Sequence, residues 1–336
     1  MAASSSVSLP GDAAGARRHR IRPSGTQLAQ GAGTLVLLGL VASASLPRDA
    51  AWLVALAAVI VLGIPHGALD GAVAAPLLRP HFGRAWFPIF AIPYLGLAGS
   101  VLLAWQILPL ATLAAFLAVS VLHFGTEDAG PGRPLEALAR GGLPIALPAL
   151  LHPAQTAELF AVIARVPMPE LPAWWSIAAW LWLALAAAWF VVGRPRPAVC
   201  AEMIGLAVAF LTLPPLTAFT LYFVGFHAPR HMRALVRDPT KAPGIGTMPR
   251  AIRAALPIFA LTLVLGAGLW PLYASGASDE TANLLTVTLR MLSALTLPHI
   301  LLDHIAGRRS DLLAVRLQST TDTAEGVPGR SREPHP

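Results

Sequence analysis

The chain keeps returning to long apolar runs, and few folds accommodate that. Windows of roughly 17–25 apolar residues, enough for a helix to cross a bilayer, can be drawn at 28–46, 50–76, 86–107, 108–124, 137–152, 173–193, 198–213, 215–235, 251–273 and 283–305. Hydrophobic residues make up 55% and charged residues 12% of the 336, against about a quarter charged in soluble domains. Too little polar surface is left to coat a water-soluble core. The expectation is an all-α, polytopic transmembrane helix bundle of about ten spans. The fifth window, interrupted by Pro144 and Pro148, is its weakest member.

Charge supplies the orientation. The pI near 10.8 would suit a nucleic-acid partner only if the basic residues formed a face. Instead they sit in short loops and tails, as topology signals do. With ten spans and both termini cytoplasmic, all 24 Lys and Arg except Arg48, Arg165 and Arg290 fall on the inner side. The organisation expected is a disordered basic tail over 1–27, one transmembrane catalytic domain over 28–306 and a polar tail over 307–336. The segment 28–46 follows Arg17, Arg18, Arg20 and Arg22 and ends among small residues, a signal-peptide pattern. It is read as an uncleaved first helix because the charge pattern requires it. The protein is expected in the inner (plasma) membrane as a multi-pass protein. The single Cys200 excludes an intramolecular disulfide and a cysteine metal cluster.

Ionisable side chains inside a membrane are costly and mark functional sites. Five histidines qualify: His66, His123, His227, His231 and His299. In this topology their four spans all run inward, which puts the histidines at similar depth. His227 and His231 are four residues apart and so share a helix face. Pro65 and Pro298 each precede a histidine and remove a backbone donor, which kinks or unwinds a span. Gly63, Gly67 and Gly71 allow close approach by a helix or ligand. A lone intramembrane histidine is often only a hydrogen-bond partner between helices, but five at one depth point to a metal. Imidazoles without cysteine suit Fe(II), Zn(II) or copper. Asp70, Glu127, Asp128 and Asp303 lie near enough in sequence to be ligands or partners that orient them. Asp70 and Asp303, each four residues after a histidine, are read as orienting imidazoles on their own helix or across spans two and ten. His19, His81, His152, His304 and His335 fall outside the cluster.

Four blocks carry a family resemblance: Gly63-Ile-Pro-His-Gly-Ala-Leu-Asp70, His123-Phe-Gly-Thr-Glu-Asp128, His227-Ala-Pro-Arg-His231 and Leu295-Thr-Leu-Pro-His-Ile-Leu-Leu-Asp303. In content and order they resemble the Brp/Blh family of bacterial and archaeal membrane β-carotene 15,15′-dioxygenases. The resemblance implies a non-haem Fe(II) held by His66, His123, His227 and His231. It further implies O2-dependent cleavage of the central double bond of β-carotene into two molecules of retinal. His299 falls in a matching block and is placed, with Asp70, Asp303 and Asp128, among orienting or substrate-side residues. The partners implied are β-carotene or a related carotenoid, O2 and membrane lipid, with no nucleic acid. Two other readings compete. A di-iron membrane hydroxylase would need more histidine boxes than the one HxxxH here, and a metal or ion transporter could use the kinked segments.

Overall fold

The computed structural model describes residues 25–274 and 279–325; most of the N-terminal tail (1–24) and the last part of the C-terminal one (326–336) lie outside the described residues. Every regular element among the described residues is helical. The helices are α1 (Gly25–Ser43), α2 (Arg48–Ala58), α3 (Asp70–Phe82), α4 (Trp86–Ile107), α5 (Pro109–Ala129), α6 (Pro134–Leu151) and α7 (Pro153–Ala164). They continue as α8 (Ala173–Val192), α9 (Pro197–Thr212), α10 (Pro215–Tyr222), α11 (Ala228–Arg237), α12 (Met248–Ala274) and α13 (Glu280–Glu325). Proline opens α5, α6, α7, α9 and α10, at the one turn of a helix where a missing N–H costs nothing.

Among the described residues, five helical stretches are long and apolar enough to cross a membrane, six if α6 and α7, bent by 113° at their junction, form one. The first of them, Arg48–Ile107, is 60 residues long, about 90 Å at 1.5 Å per residue and three times a bilayer core of about 30 Å. It therefore folds back, at Gly83 with φ 51°, and α3 packs against α4. The other segments expected as spans are helical but shorter or divided: α9 has 16 residues and α10 has 8. Helix α13 carries on to Glu325, into the stretch expected as a polar tail.

Large apolar side chains face outward along the helices, among them Ile92 (71% exposed), Leu181 (67%), Val191 (78%) and Val264 (67%). Such a surface would drive aggregation in water; in hydrocarbon it is the matching solvent, and the protein is a membrane protein. The interior is a continuous cluster that includes Trp52, Trp105, Phe124, Phe160, Trp175 and Phe210. Arg290, 2% exposed, donates from Nε to the Ile163 carbonyl at 2.7 Å and lies over the rings of Trp105 and Tyr273.

Ion pairs collect near the ends of the helices. Arg48 pairs with Asp49, Glu158 and Asp279. At the other end Arg230 pairs with Asp128 and Glu202, Arg140 with Glu136 and Glu202, and Lys241 with Asp303. Asp279 immediately precedes α13 and Asp303 lies 24 positions further along it, about 36 Å at 1.5 Å per residue. These two ion-pair sites therefore stand at least the thickness of a bilayer core apart.

Candidate metal centre

Two local irregularities bring the histidines inward. Pro65 cannot donate to the turn before it, and the backbone there widens into a π-helical turn at Val59–Gly63, then tightens to a 3-10 helix over Ile64–Leu69 before α3 begins. The same happens ahead of Pro229, where Phe223–His227 form a second π-helical turn leading into α11. Such turns recur at functional sites because they rotate the side chains that follow out of the regular stripe. The two turns touch: a methyl group on Gly63 would fall within the Phe223 ring. Pro298 behaves differently, since α13 continues through it.

The third approach is made by glycine. A Cβ on Gly125 would collide with the backbone of Ala137, and one on Gly141 with the Val121 carbonyl. Helices α5 and α6 therefore meet backbone to backbone, two residues from His123. Gly67 and Gly71 have room for a side chain and line the cavity described below.

All five intramembrane histidines are buried and gather at one place. Ring centroids are 5.5 Å apart for His66 and His227, 5.5 Å for His66 and His231, 5.0 Å for His123 and His227, and 5.2 Å for His231 and His299. Most pairs are steeply inclined, edge towards face. Ligand atoms of His66, His123 and His227 lie within 4.8 Å of one another, as do those of His123, Glu127 and His299.

Hydrogen bonding sets which nitrogen is offered. A carbonyl oxygen only accepts, so His66 donates from Nδ1 to Gly63 and keeps its Nε2 lone pair. His299 Nδ1 is 2.7 Å from Asp70 Oδ1, and His231 Nδ1 is 3.0 Å from Glu127 Oε1; each carboxylate takes the N–H and leaves Nε2 available. Both nitrogens of His227 and Nε2 of His299 are buried with no hydrogen-bond partner among the described residues. Buried nitrogens left bare are costly. A metal ion would take up one nitrogen of each of these rings, and the donor set of imidazoles with one carboxylate fits a first-row divalent metal.

The remaining candidates divide. Asp70 sits between helices: it receives His299 from α13 and the Tyr94 hydroxyl from α4 at 2.7 Å. The pairing is thus across the spans and not along Asp70's own helix. Asp303 makes no hydrogen bond to a histidine among the described residues and binds Lys241 at 3.2 Å. Asp128 receives Tyr222 at 2.9 Å and Arg230, behind the cluster. Glu127 holds the centre: besides His231 it stands 3.7 Å from Nδ1 of His123 and 3.7 Å from Nε2 of His227. It lies four residues after His123, the spacing that marks Asp70 and Asp303, so the same signal is present. Tyr94 carries no such signal. His152 lies apart, bonded to the Phe210 carbonyl at 2.8 Å.

A cavity runs up to these histidines. His66, His123 and His299 line it with Asp70, Tyr94 and mostly apolar side chains from α4, α5, α6, α7, α10, α12 and α13.

Comparison with known proteins agrees with the four sequence blocks. The chain is 29% identical over 333 residues to a protein of Halobacterium salinarum named probable beta-carotene 15,15′-dioxygenase Blh, covering 88% of this chain and 95% of that one. It is 28% identical over 272 residues to a beta-carotene 15,15′-dioxygenase from an uncultured marine bacterium, covering 78% and 96%. No solved structure matches. The model of the family described as beta-carotene 15,15′-dioxygenase matches residues 57–305, a span that holds all five histidines, Glu127 and Asp70, and the chain belongs to that family.

Proposed function

We propose that this protein cleaves the central 15,15′ double bond of β-carotene with O2, giving two molecules of all-trans-retinal, at an Fe(II) ion held by His66, His123, His227 and His231. The observation that carries the reading is the pair of bare, buried nitrogens on His227 inside a five-histidine cluster of a family whose named members act on β-carotene. The overall reaction balances with one oxygen atom of O2 going to each new aldehyde. Iron, when bound, supplies the reactivity of O2 towards a carbon–carbon double bond.

The chain's own residues do the rest. The Gly63 carbonyl and Glu127 take the Nδ1 protons of His66 and His231 and so orient Nε2 of each towards the centre. Asp70, itself held by Tyr94, does the same for His299. The apolar cavity walls keep water from the reacting bond and align the polyene, converting a chance encounter into a positioned one. The same reading includes ten spans with both ends on the cytoplasmic side of the plasma membrane, supported by ion-pair sites at least the thickness of a bilayer core apart.

Expression in a bacterium that makes β-carotene tests the function directly. The orange colour should fade and retinal should accumulate. Unchanged carotenoid beside folded, iron-loaded protein would overturn the substrate assignment.

A further inference from the structure

A side chain that both lines a cavity and is exposed marks where that cavity opens. Among the described residues, four lining side chains are exposed: Phe87 and Leu95 on α4, and Leu261 and Leu265 on α12. Phe87, Phe90, Ala91, Tyr94 and Leu95 follow the spacing of one helix face, and so do Ile258, Leu261, Thr262 and Leu265. Two facing stripes thus frame the opening, and both helices belong to stretches apolar enough to cross a membrane. The gap leads sideways, into hydrocarbon.

The opposite end is shut. Pro144 and Pro148 of α6, Thr156 and Phe160 of α7, and Leu216 of α10 are all buried. The Thr156 hydroxyl is taken up by the carbonyls of Pro148 and His152, so the blind end is apolar. Helix α13 forms one wall along the whole length. Its Leu289 and His299 both line the cavity and are ten positions apart, about 15 Å at 1.5 Å per residue. Beside Leu289, Thr286 and Arg290 bond to the carbonyls of Val162 and Ile163 and tie α7 across the end.

We propose that the α4–α12 seam is the doorway by which a polyene enters from the bilayer, and that the blind arm closed by α7 is a gauge that seats its leading end and thereby selects the double bond brought to the histidines. This rests on the carotenoid-cleaving reading above and adds which residues set entry and cleavage position. A symmetric substrate would lie with one half in the arm and the other trailing through the doorway, its middle at the metal centre.

The test uses the full chain in lipid vesicles. In a Cys200→Ser background, Leu261→Cys and Leu263→Cys both present an exposed thiol on α12, but only position 261 lines the cavity. β-Carotene in the vesicles should slow labelling of Leu261→Cys by a lipid-soluble maleimide several-fold and leave Leu263→Cys unchanged. Paired Leu95→Trp and Leu261→Trp should cut cleavage at least tenfold with iron content intact. Leu289→Phe, which shortens the arm, should yield two unequal apocarotenals in place of retinal alone. If wild type forms retinal but position 261 is not protected, or a charged maleimide labels it as readily, the doorway is wrong. If Leu289→Phe retains iron and still gives only retinal, the gauge is wrong. Wild type that leaves β-carotene intact overturns instead the reading of function.

Discussion

At the scale of single residues the site is a contest for protons and lone pairs. A metal-bound imidazole is oriented by a partner on its other nitrogen. Within the cluster His66 has a carbonyl there, and His231 and His299 have carboxylates; His227 has none among the described residues. Replacing any of His66, His123, His227 or His231 by Ala should abolish retinal formation and lower the iron measured in the purified protein. His152→Ala, which removes a ring bonded to the Phe210 carbonyl, should retain both; equal damage at His152 would mean the ligand set is wrong. Asp70→Asn keeps the shape but loses the charge that fixes His299, and loss of such a partner typically costs ~10–100-fold in metal affinity or activity. Iron retention during dialysis against a chelator reads this out, and Asp303→Asn, next to Lys241, should behave as wild type. The histidines are legible in the sequence because ionisable groups stand out in apolar runs. Asp70 and Asp303 share one motif and cannot be told apart there. Their difference lies in what the neighbouring helices bring: Tyr94 and His299 to the first, Lys241 to the second.

Helices are legible as segments and illegible in their joints. The apolar windows fall on helices, yet Pro65 and Pro298, equivalent on paper, have different consequences. Around Pro65 the chain has glycines at 63 and 67 and a second π-helical turn to pack against; at Pro298 α13 stays a single helix. Helix α7, short and bent sharply away from α6, has no counterpart among the windows, because twelve moderately apolar residues carry no span signal. The α5–α6 contact makes a sharp demand on sequence. Gly141→Leu would push a side chain into the Val121 carbonyl and Gly125. Overpacking of this kind costs typically ~1–3 kcal/mol and more where backbone must move. The expected result is a lower midpoint of thermal unfolding in detergent together with lost iron, since His123 is carried on the displaced helix. Gly205→Leu, where nothing lies within 4 Å, is the control and should change neither.

For the molecule as a whole, ion-pair sites stand at least a bilayer core apart, and the count of crossings follows from which loops lie on which side. A reporter active only in the cytoplasm should work when inserted between Gly130 and Gly132 and fail when inserted in the loop at 166–171. The opposite pattern would invert the topology, and activity at both would break the ten-span arrangement. The doorway between α4 and α12 also decides what counts as concentration for this protein. A cavity that opens only into lipid samples the mole fraction of substrate in the bilayer, not its molarity in the suspension. Diluting vesicles with buffer should leave the rate per enzyme untouched, whereas diluting the carotenoid with extra lipid at fixed volume should lower it. Product leaving by the same route would enter the same two-dimensional phase, and a retinal-consuming protein in that membrane would then be supplied by lateral diffusion without any step through water.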